Sequence, residues 1–343
     1  MKVIGYSHEL SVFPGDQVSF LVSCDTERYH ADIVKLIHGD TNPDGPGFKI
    51  EPVSTGIDTD FPGRVQRVYS GSHVLVDDHP RLGLSGDLTL QVLISPTTPA
   101  KGVQGLLTKW DASCEAGYGL FIGEDACLEA WLGDGGGNVQ RISSGKPLLA
   151  GCWYLAAVSA GGGQVTLHQE PIVTPANGRF ALASSLQSTT AVVTEEGRVA
   201  VPADNAVPLV MAGYVERLTD EPIGVVVGGH YNGKLDRPRV HAAALGRDRM
   251  DIQIERPHGP SLRGAWNFQE EITGRGIRET RRITDVSANR MHGRTVNVPT
   301  RAVTGHNWDA REQNFIHAPE QYGAIHFHDD DLDDARWDVD FTL

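Results

Sequence analysis

Two histidines two residues apart, followed at once by aspartates, are the sharpest chemical signal in this chain. The run reads Tyr322-Gly323-Ala324-Ile325-His326-Phe327-His328-Asp329-Asp330-Asp331-Leu332. On a strand, alternate side chains share a face, so His326 and His328 project together while Ile325 and Phe327 take the opposite side. Two imidazoles at that spacing can hold one metal ion, and Asp329 adds a hard oxygen ligand. The competing expectation is that these groups make polar contacts to neighbouring loops or to a partner domain. A second polar group comprises His306, Asn307, Trp308, Asp309 and Arg311, with His317 following. A His–Asp pair can do acid–base work, but no serine or cysteine sits in a recognisable nucleophile elbow. Structural contact is therefore expected there. His306, Trp308, Tyr322, Asp330 and Asp331 are read as facing a substrate or partner.

Two weaker signals lie upstream. His38, Asp40 and Asp44 sit on a glycine- and proline-rich loop whose oxygens are spaced like the start of a calcium loop. The loop lacks the distal glutamate and follows a strand, so an ordinary turn is the expectation. Trp110, Trp131 and Trp153 are candidate stacking platforms for a sugar, although tryptophan in a sandwich more often belongs to the core. The glycines from Gly133 to Gly137 fit a hairpin tip better than a phosphate loop.

The elements that must position these groups read as strands. Leu88, Leu90, Val92 and Ile94 alternate with Thr89, Gln91 and Leu93. Further strands are expected at 105–109, 118–122, 128–132, 153–159, 164–168 and 225–227, with Gly161-Gly162-Gly163 at a hairpin tip. Short strands at regular spacing without helices point to an all-β, two-sheet sandwich. Near the start, Leu10 and Val12, the turn Pro14-Gly15-Asp16 and then Val18, Phe20 and Val22 predict strand, turn, strand. A third strand is expected from Ile33 to Ile37. The expected organisation is a small immunoglobulin-like β unit over 1–68, a sandwich over 69–268 and a C-terminal extension over 269–343.

Bulk properties narrow the class. The chain has 343 residues, 39 glycines, 19 prolines and 40% hydrophobic residues, which describes a globular, turn-rich protein. Its formal net charge is −14, so a nucleic-acid partner is not expected. Arg275, Arg278, Arg281 and Arg282 form the densest basic cluster, but Glu270, Glu271 and Glu279 lie beside it. Cys24, Cys114, Cys127 and Cys152 show no metal-ligand spacing and read as free thiols. No secretory signal and no apolar run long enough for a membrane helix appears, so a cytoplasmic protein without a membrane partner is expected.

Three motifs carry a fold resemblance. They are Leu107-Thr108-Lys109-Trp110 with Gly117-Tyr118-Gly119-Leu120, then Gly151-Cys152-Trp153-Tyr154-Leu155 with its hairpin, and Tyr231-Asn232-Gly233-Lys234-Leu235-Asp236-Arg237-Pro238-Arg239-Val240. In that order they resemble the laminin-G or concanavalin-like jelly roll. Gly233 is expected to turn the chain, Leu235 to enter the core, and Asp236 and Arg239 to fix a strand edge.

A second resemblance covers the whole chain. Ala31-Asp32-Ile33-Val34-Lys35-Leu36-Ile37-His38-Gly39-Asp40 near the start, Asn297-Val298-Pro299-Thr300-Arg301-Ala302-Val303 and the His326–Asp331 run are similar to the N,N-dimethylformamidase large (β) subunit family. That resemblance implies hydrolysis of formamides to formate and an amine. It implies a lectin-like N-terminal half joined to a catalytic half, where tyrosines and a glutamate hold one iron. The chain is expected to stop where the catalytic half would begin, and none of those iron ligands maps onto it. The resemblance therefore implies no cofactor in this chain, a catalytic half and a small subunit as partners, and a homo-oligomer. The expected role is a non-catalytic scaffold. The alternatives are an independent carbohydrate-binding jelly roll and a metal enzyme using His326 and His328.

Overall fold

Side-chain alternation at period two decides which residues meet between the sheets of this protein. The structure is a computed structural model that describes residues 2–343 apart from 8, 10, 85, 174–181, 200–204, 222, 252–255, 271–280, 312, 314–316 and 333–337. Arg275, Arg278, Glu271 and Glu279 of the basic cluster lie outside the described residues.

By its internal contacts the chain divides into Met1–Tyr69 with Asp334–Leu343, and Ser70–Asp333. The larger unit is an antiparallel sandwich. One sheet runs Val139–Pro147, Cys127–Asp134, Ala116–Ile122, Gln104–Asp111, Leu209–Met211, His73–Val76, Gly293–Val296 and Arg282–Asp285. The other runs Ala191–Glu196, Gln164–Pro171, Tyr154–Gly161, Leu88–Pro96 and Gly233–His241. Beyond Gly233–His241 this sheet forks to Leu262–Asn267 on one stretch and to Ala324–Phe327 with Thr300–Val303 on another. Leu262–Asn267 also pairs with Arg282–Asp285 and stitches the two sheets along one edge. The all-β jelly-roll sandwich expected from the sequence is what these ladders build.

Leu88, Leu90, Val92 and Ile94 enter the core between the sheets together with Leu106, Leu120, Tyr154, Leu235, Trp266, Ile325 and Phe327. Leu93 packs on the outer face with Trp153, Leu155 and Ala157, so the strand Leu88–Pro96 is buried on both sides. The division expected at 268 does not follow the contacts. The strands after that point hydrogen-bond into the sandwich and complete both of its sheets. The chain end Phe341–Thr342 instead pairs with Ser19–Cys24 in the smaller unit.

Gly233 opens the strand that organises this end of the second sheet. Its φ is +148°, and a Cβ there would lie 2.5 Å from the Ser95 carbonyl oxygen and the Tyr231 hydroxyl. Gly233→Ala is therefore expected to cost about 2 kcal/mol through strain and displaced backbone. A thermal melt unchanged from the parent protein would contradict this. Four residues on, the ladder slips: register shifts between Asp236 and Arg239, where Arg237 has φ +50°. Such a bulge re-aims side chains.

Among its described residues the smaller unit contains three small sheets. Ser19–Cys24 pairs with Val3–Ser7 on one side and Phe341–Thr342 on the other, Arg28–Ala31 pairs with Thr59–Pro62, and Val34–His38 pairs with Lys49–Pro52. The first strand thus lies upstream of the expected Val12. Residues from Val12 to Val18 form the connection, where Asp16 closes a turn with Phe13 through both backbone and carboxylate. The core is Val22, Cys24 and Tyr29 with Ala31, Phe61 and Phe341 packed on it. Stacked rings at 4.5 Å for Phe61–Phe341 and 5.0 Å for Phe20–Phe341 hold it together.

Candidate functional site

Strand alternation sets up the site at the end of Ala324–Phe327. Ile325 and Phe327 are fully buried in the sandwich core, and His326 lies on the other face. The His326 and His328 rings approach to 4.4 Å between centroids. Burial lowers the His326 pKa, and the neighbouring His328 and Lys234 reinforce this, while Asp331 opposes it. His326 Nε2 is buried and has no hydrogen-bond partner among the described residues.

The aspartates that follow are drawn to other partners. Asp329 Oδ2 accepts from Lys101 Nζ at 2.7 Å, and Oδ1 accepts from Asn232 Nδ2 at 3.0 Å. Burial pushes the Asp329 carboxyl upward, but the Lys101 and Asn232 hydrogen bonds outweigh it and hold the group below its usual value. Asp331 Oδ2 accepts from Ser72 Oγ at 2.5 Å and from the His328 amide at 3.2 Å, while the Gly71 amide donates to the Asp331 carbonyl. Asp330 is exposed. Among the described residues no three His, Cys, Asp or Glu side chains are grouped to hold a metal ion. The trio of His326, His328 and Asp329 expected as ligands is not assembled. A turn after the strand swings the carboxylate of Asp329 onto Lys101 and Asn232.

Two further histidines join this end of the sandwich, and local sequence offered no sign of them. His73 and His230 stand 5.4 Å apart between ring centroids. His73 Nδ1 donates to the Gly71 carbonyl at 3.2 Å. Gly71 leaves room for His230, because a Cβ at Gly71 would lie 2.5 Å from that ring. Burial, followed by the His230 ring, lowers the His73 pKa to about 3; burial, followed by Lys101, lowers that of His230 to about 4. Both are held neutral in the folded state, whereas the unfolded chain takes up protons near the ordinary value of 6.5. Stability from this source is present above about pH 6.5 and is lost as pH falls towards 4 and below. Each such histidine adds up to about 1.4 kcal/mol per pH unit to the slope. Thermal melts from pH 7 to pH 4 are expected to show a steeper decline in the parent than in a His73→Asn variant. Equal slopes would contradict the assignment.

His306 was expected to face a partner, and the structure corrects this. It is 3% exposed, and its Nδ1 donates to Asp236 Oδ2 at 2.9 Å. The ring meets Trp153 edge-on at 6.2 Å. The bulge after Asp236 is what aims that carboxylate away from the strand edge it was expected to fix. Arg239 instead donates from Nη1 to the Asp251 carbonyl. Trp308 and Tyr322 are half-buried, and their backbone amides close turns onto Gly305 and Pro319. The upstream loop binds itself: Asp40 Oδ1 accepts from the Asn42 amide, and Asn42 Oδ1 from the Asp44 amide. Trp110, Trp131 and Trp153 are all buried. Trp110 and Trp131 pack with Phe121, so they are core and offer no platform for a sugar.

The geometry is thus a fastened polar seam: residues 328–331 are tied to Gly71, Ser72, Lys101 and Asn232 by hydrogen bonds. No protein-family model matches the chain. It is 39% identical over 350 residues to the N,N-dimethylformamidase beta subunit of Paracoccus aminophilus. It is 38% identical over 353 residues to that of an Alcaligenes species. Both alignments take in all of this chain. This chain is a homologue of the N,N-dimethylformamidase beta subunit. It spans 45% of the length of each formamidase relative. Among solved structures, a candidate carbohydrate binding protein from Bacteroides ovatus gives a TM-score of 0.45 at 14% identity, covering 81% of this chain and 66% of that one. The LG1-3 region of the laminin alpha2 chain gives 0.34 at 11% identity, covering 54% and 33%. Among the described residues no helix is long and apolar enough to cross a membrane.

Proposed function

We propose that this chain is the non-catalytic, lectin-like scaffold portion of an N,N-dimethylformamidase-type amidohydrolase. The observation that carries this reading is the match along the whole chain to beta subunits of which it spans 45%. In the assembled enzyme, formamide is hydrolysed to formate and an amine. A metal held by the catalytic portion would supply a Lewis acid for the formyl carbonyl and for water. In this reading the iron is held by the catalytic portion and not by this chain. Its work is to pack on the catalytic portion, to meet a small subunit and to support oligomerisation. Exposed Asp330 and half-buried Trp308 and Tyr322 are its partner-facing groups. The compartment is the cytoplasm, which suits four free cysteines.

The test is direct. The purified chain is expected not to hydrolyse N,N-dimethylformamide, and the DNA beyond the Leu343 codon, or a neighbouring reading frame, is expected to encode the catalytic portion. Turnover by the purified chain would overturn the proposal. The paired rings of His326 and His328 support a second reading as a metal site. It requires about one equivalent of bound metal by elemental analysis, lost when both histidines become alanine.

A further inference from the structure

Four polar side chains form one row across the outer face of the second sheet. Lys234 stands opposite Ser95 on one neighbouring strand and opposite His326 on the other, and His326 stands opposite Thr300. Leu235 and Ile325 beside them enter the core, so alternation turns Lys234 and His326 the other way. Side chains directly opposed in a ladder have Cβ atoms about 4.5–5.5 Å apart. The His328 ring closes on that of His326 at 4.4 Å between centroids. A lysine opposite an imidazole puts two basic groups face to face, and like charges so placed destabilise a ladder unless an anion offsets them.

No carboxylate among the described residues plays that part. Lys234 is half-buried, and its Nζ donates to the Thr304 hydroxyl at 2.6 Å and carbonyl at 3.2 Å, both neutral acceptors. Burial lowers the Lys234 pKa, and no neighbouring acid opposes it. The carboxylates close by are committed to other donors: Asp236 to His306, Asp329 to Lys101 and Asn232, Asp331 to Ser72 and the His328 amide. Asp330 is exposed. Two observations therefore point to one kind of ligand. A half-buried ammonium without a counter-charge is costly, and the buried His326 Nε2 has no hydrogen-bond partner among the described residues. One unpaired positive charge calls for one negative charge, and donors on adjacent strands suit the two oxygens of a carboxylate. We propose that Lys234 and His326, flanked by His328, bind a small monocarboxylate, one oxygen accepting from Lys234 Nζ and the other from His326 Nε2–H. The site goes beyond the scaffold reading and does not depend on it.

The test follows the histidine ring signals of the 343-residue chain by NMR while sodium formate replaces sodium chloride at constant ionic strength. A saturable shift of the His326 and His328 rings is expected, with exposed His30 and His258 unmoved. A ligand of three non-hydrogen atoms reaches at best a Kd of about 1 mM. Lys234→Gln, and His326→Gln read on the His328 ring, are each expected to weaken binding about tenfold, as for a lost hydrogen bond to a charged group. Thermal melts check that both variants fold, and the ring shifts in the parent chain need neither. No saturation by about 0.1 M formate, roughly a hundred times that best Kd, overturns the proposal. So does an unchanged Kd in folded Lys234→Gln. A linear shift shared by His30 and His258 is a bulk salt effect and also overturns it. Tighter binding of sodium phosphate than of formate makes the ligand a dianion, against the proposal. One equivalent of zinc on the same two rings, undisplaced by formate, makes them the metal site of the second reading and overturns it too.

Discussion

Asp236→Ala is expected to destabilise the sandwich by about 3 kcal/mol, lowering its melting temperature by roughly 6–10 °C. The argument starts from His306, which is 3% exposed and whose Nε2 has no hydrogen-bond partner among the described residues. Its Nδ1 is anchored by a 2.9 Å bond to Asp236. Removing the carboxylate leaves a buried imidazole without an acceptor, and leaving a buried polar group unpaired costs more than the bond itself contributes. Gly305 bonds to Gln321 beside this contact, so the loop that follows His306 loosens with it. Asp236→Asn retains an acceptor oxygen and is expected to lose less. Pairing Asp236→Ala with His306→Leu is expected to recover part of the loss, since neither polar partner then remains. Strictly additive losses in that double-mutant cycle would show that the contact carries no coupling.

Lys109→Met is expected to cost about 3–5 kcal/mol, the range for removing one member of a buried charged network. The Lys109 side chain is 2% exposed, and its Nζ reaches Asp78 Oδ1 at 2.7 Å, the Asn205 carbonyl at 2.6 Å and the Val207 carbonyl at 2.8 Å. Asn205 Oδ1 at 3.0 Å is a fourth acceptor. Methionine keeps much of the volume and supplies no donor, so the two carbonyls lose their partner inside the protein. The Asp78 side chain is 41% exposed and can turn to water, so Asp78→Ala is expected to cost only about 1 kcal/mol or less. Arginine does not replace the lysine, because its planar fork cannot meet acceptors arranged around a compact ammonium. Denaturant melts of Lys109→Met and Asp78→Ala check this asymmetry. Equal losses would show that the aspartate, and not the backbone carbonyls, dominates.

Part of the fold was legible because it depends on near neighbours in the chain. Alternation marked Leu88, Leu90, Val92 and Ile94 as one face, and all four lie in the core. Gly161-Gly162-Gly163 was readable as a hairpin tip because positive φ there favours glycine, and the structure shows it at Gly162 and Gly163. The face assignment of Ile325 and Phe327 against His326 follows from the same period. What that reasoning could not see is where a strand joins a sheet. Residues 282–327 read as an extension, yet they add strands to both sheets. Ile33–Ile37 read as an ordinary apolar strand, although Val34, Leu36 and Ile37 are open to water.

The sequence by itself determined the all-β class, the inward face of the central strands, the glycines at tight turns and the similarity to the formamidase beta subunits. Each of these depends on side-chain alternation, local backbone freedom or a residue pattern that survives as a string. The tertiary structure alone decided the chemistry of the polar residues. His306 meets Asp236 across 70 positions, and Asp329 meets Lys101 across 228. His73 and His230 meet because His73–Val76 and Gly233–His241 end on the same side of the sandwich beside Gly71. Ladder register, a bulge at Asp236 and the burial they create set these pairings, and none of the three is written in residue spacing. The fold supplies the aspartates that follow His326 and His328 with partners of their own, Lys101, Asn232 and Ser72, which residue spacing does not show.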